Sequence, residues 1–178
     1  DNALLIAAIA LLRDLHEPGW MTPGLKQSFV LSYVLLAPLV GAFADSMPKG
    51  RVMLITNGIK VLGCAMMLVT LHPLAAYAVV GFGAAAYSPA KYGILTELLP
   101  PQQLVIANGW IEGTTVASII LGVLTGGALI GPRVATTLLG FDLPFIDTGI
   151  DTPPEAAISV IVLLYLIAAV FNWYIPNT

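Results

Sequence analysis

The sequence predicts an all-α membrane protein, folded as a bundle of six transmembrane helices. Hydrophobic residues make up 58% of the 178 residues and charged residues only 10%, whereas ordinary soluble domains carry about 25% charged residues. The mean hydropathy is +0.91. A soluble domain of this size has too little interior to hide so much apolar surface. We therefore expect lipid to surround the helices.

The first predicted helix is short. An apolar run, Ala3 to Leu12, follows Asp1 and Asn2. As a helix it would cover about 15 Å of a hydrocarbon core that is roughly 30 Å thick. A signal peptide would need a basic region in front and a small-residue cleavage site behind, and neither is present. We expect a truncated first transmembrane helix over about residues 1–13.

Five further segments are long and apolar enough to be predicted as spanning helices. Stretches rich in proline and glycine separate them, because proline cannot continue a helix and these sequences favour turns. Short connections make consecutive helices antiparallel neighbours in a bundle. The predicted spans are 26–45, 52–71, 74–99, 104–130 and 156–174, and residues 131–155 are expected to form a long loop at the membrane surface.

Composition and motifs argue against several classes of function. A formal net charge of −3 gives no basic field for nucleic acid. One cysteine, Cys64, excludes a disulfide within the chain. The acidic residues of the long loop do not follow the spacing of a calcium-binding loop. The two histidines belong to no HExxH or Cys/His metal-binding motif. We therefore expect no metal or other cofactor. Walker, Rossmann and G-x-S-x-G motifs do not occur, and we expect no enzyme.

Polar side chains inside the spans are the candidate functional residues. A charge at the centre of a spanning helix costs about 2.5–3.5 kcal/mol, so it needs a partner or a water-filled cavity. Pairs spaced i, i+3 or i, i+4 share one helix face, and we expect those faces to look inward. Snorkelling or a structural salt bridge is the alternative for residues near helix ends. The candidates are Asp1, Asn2, Asn57, Lys60, Tyr87, Lys91, Glu97, Asn108 and Glu112.

The fourth predicted span contains the most unusual segment, GFGAAAYSPAKYGILTE at 81–97. Its many glycine and alanine residues have small side chains, which lets neighbouring helices approach closely. Pro89 can kink the helix beside Lys91 and free a backbone carbonyl. A narrow, broken helix with a lysine at the break is typical of a binding site near the bilayer midplane. A kink that only shapes packing is the alternative.

Residues 41–51, GAFADSMPKGR, resemble the gating motif of the major facilitator superfamily. The resemblance implies gating roles for Gly41, Asp45, Lys49 and Arg51, although extra residues separate the aspartate from the basic cluster. Within that superfamily, the sequence is similar to the bacterial lysophospholipid transporters. The similar segments are DNALL (1–5), GRVMLITNGIKVLG (50–63), VGFGAAAYSPAKYGILTEL (80–98) and ANGWIEGTT (107–115).

This resemblance implies the six-helix N-terminal half of a transporter with about twelve spanning helices. It implies a multi-pass protein of the bacterial inner membrane, with 46–51 and 100–103 cytoplasmic and 131–155 periplasmic. The substrates would be lysophospholipids such as lysophosphatidylethanolamine, moved from the outer to the inner leaflet. Expected partners are the C-terminal half of the same transporter, membrane lipid and an acyltransferase that acts on the delivered lysolipid.

The resemblance also implies an amphipathic substrate cavity, with polar groups for the head group and apolar walls for one acyl chain. On charge sign, Lys91 would bind the phosphate and Asp1 or Glu112 an ammonium group. The leading alternative is a facilitator-type exporter of drugs or small metabolites, followed by an intramembrane enzyme of lipid metabolism and a non-transporting scaffold. The predicted binding set is Asp1, Asn2, Lys60, Tyr87, Lys91, Asn108 and Glu112.

Overall fold

The computed structural model describes residues 1–69, 71–140 and 149–176. Within these ranges the chain forms seven α-helices and no β-strand. The helices are α1 (Asn2–Asp14), α2 (Met21–Asp45), α3 (Lys49–Leu68), α4 (Pro73–Leu98), α5 (Pro101–Ile130), α6 (Pro132–Leu139) and α7 (Pro153–Trp173).

Proline marks the start of most of these helices. Pro73, Pro101, Pro132 and Pro153 each begin a helix, at a position where the missing N–H breaks no intrahelical bond. Pro89, in contrast, lies within α4, and the helix continues past it to Leu98. The break predicted beside Lys91 is therefore not found, because the helix accommodates the proline.

Two departures from the predicted bounds exceed three residues. The second helix begins at Met21, before the predicted start at residue 26. The region 131–155 is not wholly a loop, because Gly131 ends α5 and Pro132 starts α6, which buries Ala135. Residue 70 of the third predicted span and residues 141–148 of the predicted loop lie outside the described residues.

Four of the described helices, α2, α3, α5 and α7, are long and apolar enough to cross a membrane. The sequence predicted six such spans. α1 has only 13 residues, fewer than the roughly 20 that a full span needs. α4 has 26 residues and is long enough, but its tyrosine, serine, proline and lysine residues lower its hydropathy, and it is not among the four. Four helices of this kind identify the chain as a multi-pass membrane protein.

The helix α4 packs along both α2 and α3. Small residues make this contact close. A Cβ atom at Gly83 would lie 2.7 Å from the carbonyl oxygen of Thr56, and one at Gly63 would lie 2.5 Å from Cγ2 of Val80. Only glycine fits at such positions, so the backbones of α3 and α4 touch. This close packing places Lys60 of α3 directly against α4.

α2 and α5 are the most exposed long helices. α2 buries only Leu25 and Ala44, and α5 buries only Gly126 and Leu129. Their outer faces are apolar, and in a bilayer such faces contact acyl chains or another helix bundle. α5 packs mainly against α1, and most residues of its first half are exposed.

Candidate functional site

A buried ion pair joins the start of α1 to the middle of α3. The ammonium nitrogen of Lys60 lies 3.2 Å from Oδ1 of Asp1, and the hydroxyl of Tyr165 donates to the same oxygen at 2.5 Å. The Lys60 side chain is only 8% exposed and that of Asp1 is 31% exposed. The ammonium also lies 4.9 Å from the ring centroid of Tyr87, a cation–π distance. The Lys60 ammonium therefore has an anionic partner inside the bundle.

A second lysine, Lys91, lies on α4. Its ammonium donates a hydrogen bond to Oγ1 of Thr115 on α5 at 2.8 Å and lies 4.9 Å from the ring centroid of Tyr92. In the part of the chain that the structure describes, no Asp or Glu oxygen lies within 4.0 Å of this nitrogen. A lysine ammonium has three donors, so this cation retains capacity to bind an anion.

Both lysines line one cavity, of about 430 Å³, enclosed by residues of α1 to α5. Aromatic and aliphatic side chains form much of its wall, and a few polar groups converge on it, as in typical small-molecule sites. The apolar and aromatic lining includes Leu5, Phe29, Val30, Tyr33, Tyr77, Ala84 and Ile119, and the polar lining includes Asp1, Asn2, Lys26, Lys60, Tyr87, Ser88, Lys91 and Thr115.

The structure gathers most of the predicted binding residues in this cavity, namely Asp1, Asn2, Lys60, Tyr87 and Lys91. It does not place Asn108 and Glu112 there, since both are exposed on the first half of α5. The expected inward face is therefore not found for this pair. The reason is that α5 contacts α1 near its other end, where a Cβ at Gly126 would lie 2.9 Å from the Cα of Ala3.

Several cavity residues were not singled out from the sequence. Tyr77 and Ser88 lie on the α4 face that carries Lys91, at spacings of 14 and 3 residues, and extending the helical period back from Lys91 would have found them. Thr115 lies three residues after Glu112, one turn further along α5. Tyr165 is 164 positions from its partner Asp1, and no local pattern indicates that contact.

A separate ion-pair cluster forms where α2, α3 and α4 meet, and Lys49 is its centre. The Lys49 ammonium lies 2.6 Å from Oδ1 of Asp45 and 3.5 Å from Oε1 of Glu97, and it donates to the carbonyl oxygen of Ala44 at 2.9 Å. Gly93 makes room for it, because a Cβ there would lie 3.2 Å from Cε of the lysine. The cluster links the end of α2 to the end of α4.

The other two predicted gating residues lie outside this cluster. Gly41 is exposed, and a Cβ there would meet no atom within 4 Å. Arg51 is exposed in a shallow groove beside Asn172 and Trp173, and no ion pair of its guanidinium occurs within the described ranges. Glu97, which the motif does not include, takes part instead.

The described residues contain no group of three or more His, Cys, Asp or Glu side chains placed to hold a metal ion. The cavity offers the Lys91 ammonium, which has no ion-pair partner among the described residues, together with the Lys60–Asp1 ion pair and aromatic faces. These groups suit the binding of an anion that carries an apolar portion.

Comparison with known proteins decides the family. Residues 1–177 match the Major Facilitator Superfamily. This chain belongs to the major facilitator superfamily. The fold class predicted from the sequence, an all-α membrane bundle of major facilitator type, is thereby confirmed, and so is the resemblance to this superfamily.

Within the superfamily the chain is similar to proteins named lysophospholipid transporter LplT. It is 45% identical to the Yersinia enterocolitica protein over 177 residues, which cover 99% of this chain and 39% of that relative. The Klebsiella pneumoniae protein is 50% identical over 139 residues, 78% of this chain and 35% of the relative. A Yersinia pestis protein is 43% identical over 177 residues, with coverages of 99% and 39%. The chain thus spans less than half the length of these relatives. No solved structure matches it.

Proposed function

We propose that this chain is the N-terminal half of a transporter that moves lysophospholipids, such as lysophosphatidylethanolamine, from the outer to the inner leaflet of the bacterial inner membrane. The observation that carries the proposal is the similarity of 99% of the chain to relatives named lysophospholipid transporters. Because the chain covers 39% of their length, a C-terminal half would supply the remaining helices. An acyltransferase that restores the second acyl chain would use the delivered lysolipid.

The cavity explains how such a substrate would be held. A lysophospholipid carries one phosphate, and Lys91 is a cation with no carboxylate oxygen within 4.0 Å among the described residues. Its single acyl chain needs apolar walls, which Phe29, Val30 and Ile119 supply; each buried methylene contributes about 0.8 kcal/mol. An ethanolamine ammonium would compete with Lys60 for the carboxylate of Asp1. The binding site in this proposal is therefore the Lys91 side of the cavity.

Uptake by spheroplasts tests the proposal. Spheroplasts that contain the full-length transporter, in a strain without lysolipid uptake of its own, are expected to accumulate labelled lysophosphatidylethanolamine. Excess unlabelled lysolipid should compete with the label, and a panel of polar drugs and metabolites should not. Competition by polar solutes together with absent lysolipid uptake would instead support an exporter of drugs or small metabolites.

The Lys49 cluster is, in this proposal, a latch of the gate. Alternating access requires two arrangements of the helix bundles, and a contact made in only one of them shifts the population toward it. The Lys49 side chain is 9% exposed and that of Asp45 is 78% exposed. The buried lysine, which also contacts Glu97 and the carbonyl of Ala44, is therefore the residue on which the latch depends.

Replacing Lys49 by methionine is expected to raise the alkylation rate of a reporter cysteine, Thr96→Cys in a Cys64→Ala background, by about five-fold, which corresponds to about 1 kcal/mol in the population of the open state. Asp45→Asn should have a smaller effect, because Glu97 and the carbonyl of Ala44 still hold the lysine. Arg51→Met is the matched control and should leave the rate unchanged. Equal rates in the Lys49 and Arg51 variants would remove the latch from the proposal.

A further inference from the structure

An acidic side chain lies close to Lys91 but does not pair with it. On α5, Glu112 and Thr115 are three residues apart, so their side chains are neighbours on one helix face. Thr115 accepts a hydrogen bond from the Lys91 ammonium at 2.8 Å. Glu112 instead accepts one from the hydroxyl of Tyr92 at 2.5 Å. The two residues of α5 thus bind two consecutive residues of α4.

We propose that Tyr92 is a positioning residue that holds the Glu112 carboxylate away from the Lys91 ammonium, so that this cation stays available for an anionic phosphate head group. The substrate named here rests on the proposed function above. The arrangement of the three side chains does not depend on it.

Charge and geometry both favour this role. A hydroxyl bonded to a carboxylate makes a short, charge-assisted hydrogen bond, and the ring of the same tyrosine faces the Lys91 ammonium at 4.9 Å from its centroid. One residue therefore contacts both charges. Opposite charges at the edge of a membrane cavity attract strongly because the surroundings are poorly polarisable. Without the hydroxyl, Glu112 would be drawn to the lysine beside Thr115.

Packing alone does not fix Glu112. Both Tyr92 and Glu112 are exposed, and α4 and α5 share only a small contact. The hydrogen bond is therefore the interaction that orients the carboxylate. Two other lysines on helices do form ion pairs with nearby carboxylates. Lys60 pairs with Asp1, and Lys49 pairs with Asp45 and Glu97.

Transport kinetics of the full-length protein test the consequence. Tyr92→Phe keeps the ring and removes the hydroxyl, and it is expected to raise the apparent KM for lysophosphatidylethanolamine about tenfold while the maximal rate changes less than about twofold. Adding Glu112→Gln should bring the KM back toward the wild-type value, because no competing charge remains. If Tyr92 and Glu112 merely tethered α4 to α5, the double variant would be as impaired as Tyr92→Phe, and that result would overturn the proposal.

A cross-linking experiment tests the geometry without any substrate. Membranes are treated with dicyclohexylcarbodiimide, which converts a carboxylate to an O-acylisourea; an amine in contact with it then displaces dicyclohexylurea and forms an amide, and the peptides are mapped by mass spectrometry. A Lys91–Glu112 cross-link is expected in Tyr92→Phe, is expected to be absent in the wild type, and should disappear from Tyr92→Phe when Lys91→Arg is added. A cross-link in the wild type, or none in Tyr92→Phe, would overturn the inference. The expected cross-links without lysolipid uptake by the wild type would contradict the proposed function alone.

Discussion

Replacing Lys91 by alanine is expected to lower lysophospholipid uptake by about 10- to 100-fold. Among the described residues the ammonium contacts a neutral partner, Thr115, and an aromatic face, so in the substrate complex it would form a charge-assisted hydrogen bond with the phosphate. Losing such a bond costs about 1.5–3 kcal/mol, and each 1.4 kcal/mol is about a factor of ten. The rate is measured in spheroplasts with labelled lysophosphatidylethanolamine at a concentration below the KM.

Two variants accompany this measurement. Lys91→Arg keeps the charge and should retain more uptake than Lys91→Ala. Lys26→Ala removes another cation from the same cavity wall, but this side chain is exposed, and exposed charges contribute about 0–1 kcal/mol. We expect its loss to stay below about fivefold by the same conversion. Normal uptake by Lys91→Ala, with the protein inserted in the membrane, would remove Lys91 from the substrate site.

The sequence contained enough information for the helices because their signals are local. Apolar runs identify spans by length, and a proline begins several of the helices. The short helix α6 was missed because its eight residues lie in a region of mixed polarity, where neither hydropathy nor length gives a signal. Its start at Pro132 follows the same rule as the longer helices.

The candidate site was only partly predictable because its contacts are distant in sequence. Burial of Asn57 and Lys60, at 3% and 6% exposure, agrees with the face expected from their spacing. The partner of Lys60 lies 59 positions away, and nothing in the local pattern of α3 identifies Asp1. The spacing of Asn108 and Glu112 led to the wrong prediction that both face the interior of the bundle. Spacing shows that two residues share a helix face, but it does not show whether another helix covers that face.

Asp1→Asn is expected to destabilise the full-length protein by about 3–5 kcal/mol, because it leaves the buried Lys60 ammonium without an anion. Lys60→Met should cost less, about 1–3 kcal/mol, because the remaining carboxylate is partly exposed and keeps the hydroxyl of Tyr165. Thermal melting in detergent, followed by size-exclusion chromatography, measures both. Lys26→Met is the control for loss of a lysine without a buried partner.

The double variant, Asp1→Asn with Lys60→Met, separates stability from transport. Replacing both members of a buried pair removes the uncompensated charge and is often close to neutral for folding, so its melting temperature should exceed that of Asp1→Asn alone. Uptake should nevertheless stay low, because charges retained in a spanning segment at a stability cost mark a functional site, and the cavity would have lost its only described carboxylate lining group. Recovery of both stability and uptake would show that the pair only holds α1 against α3.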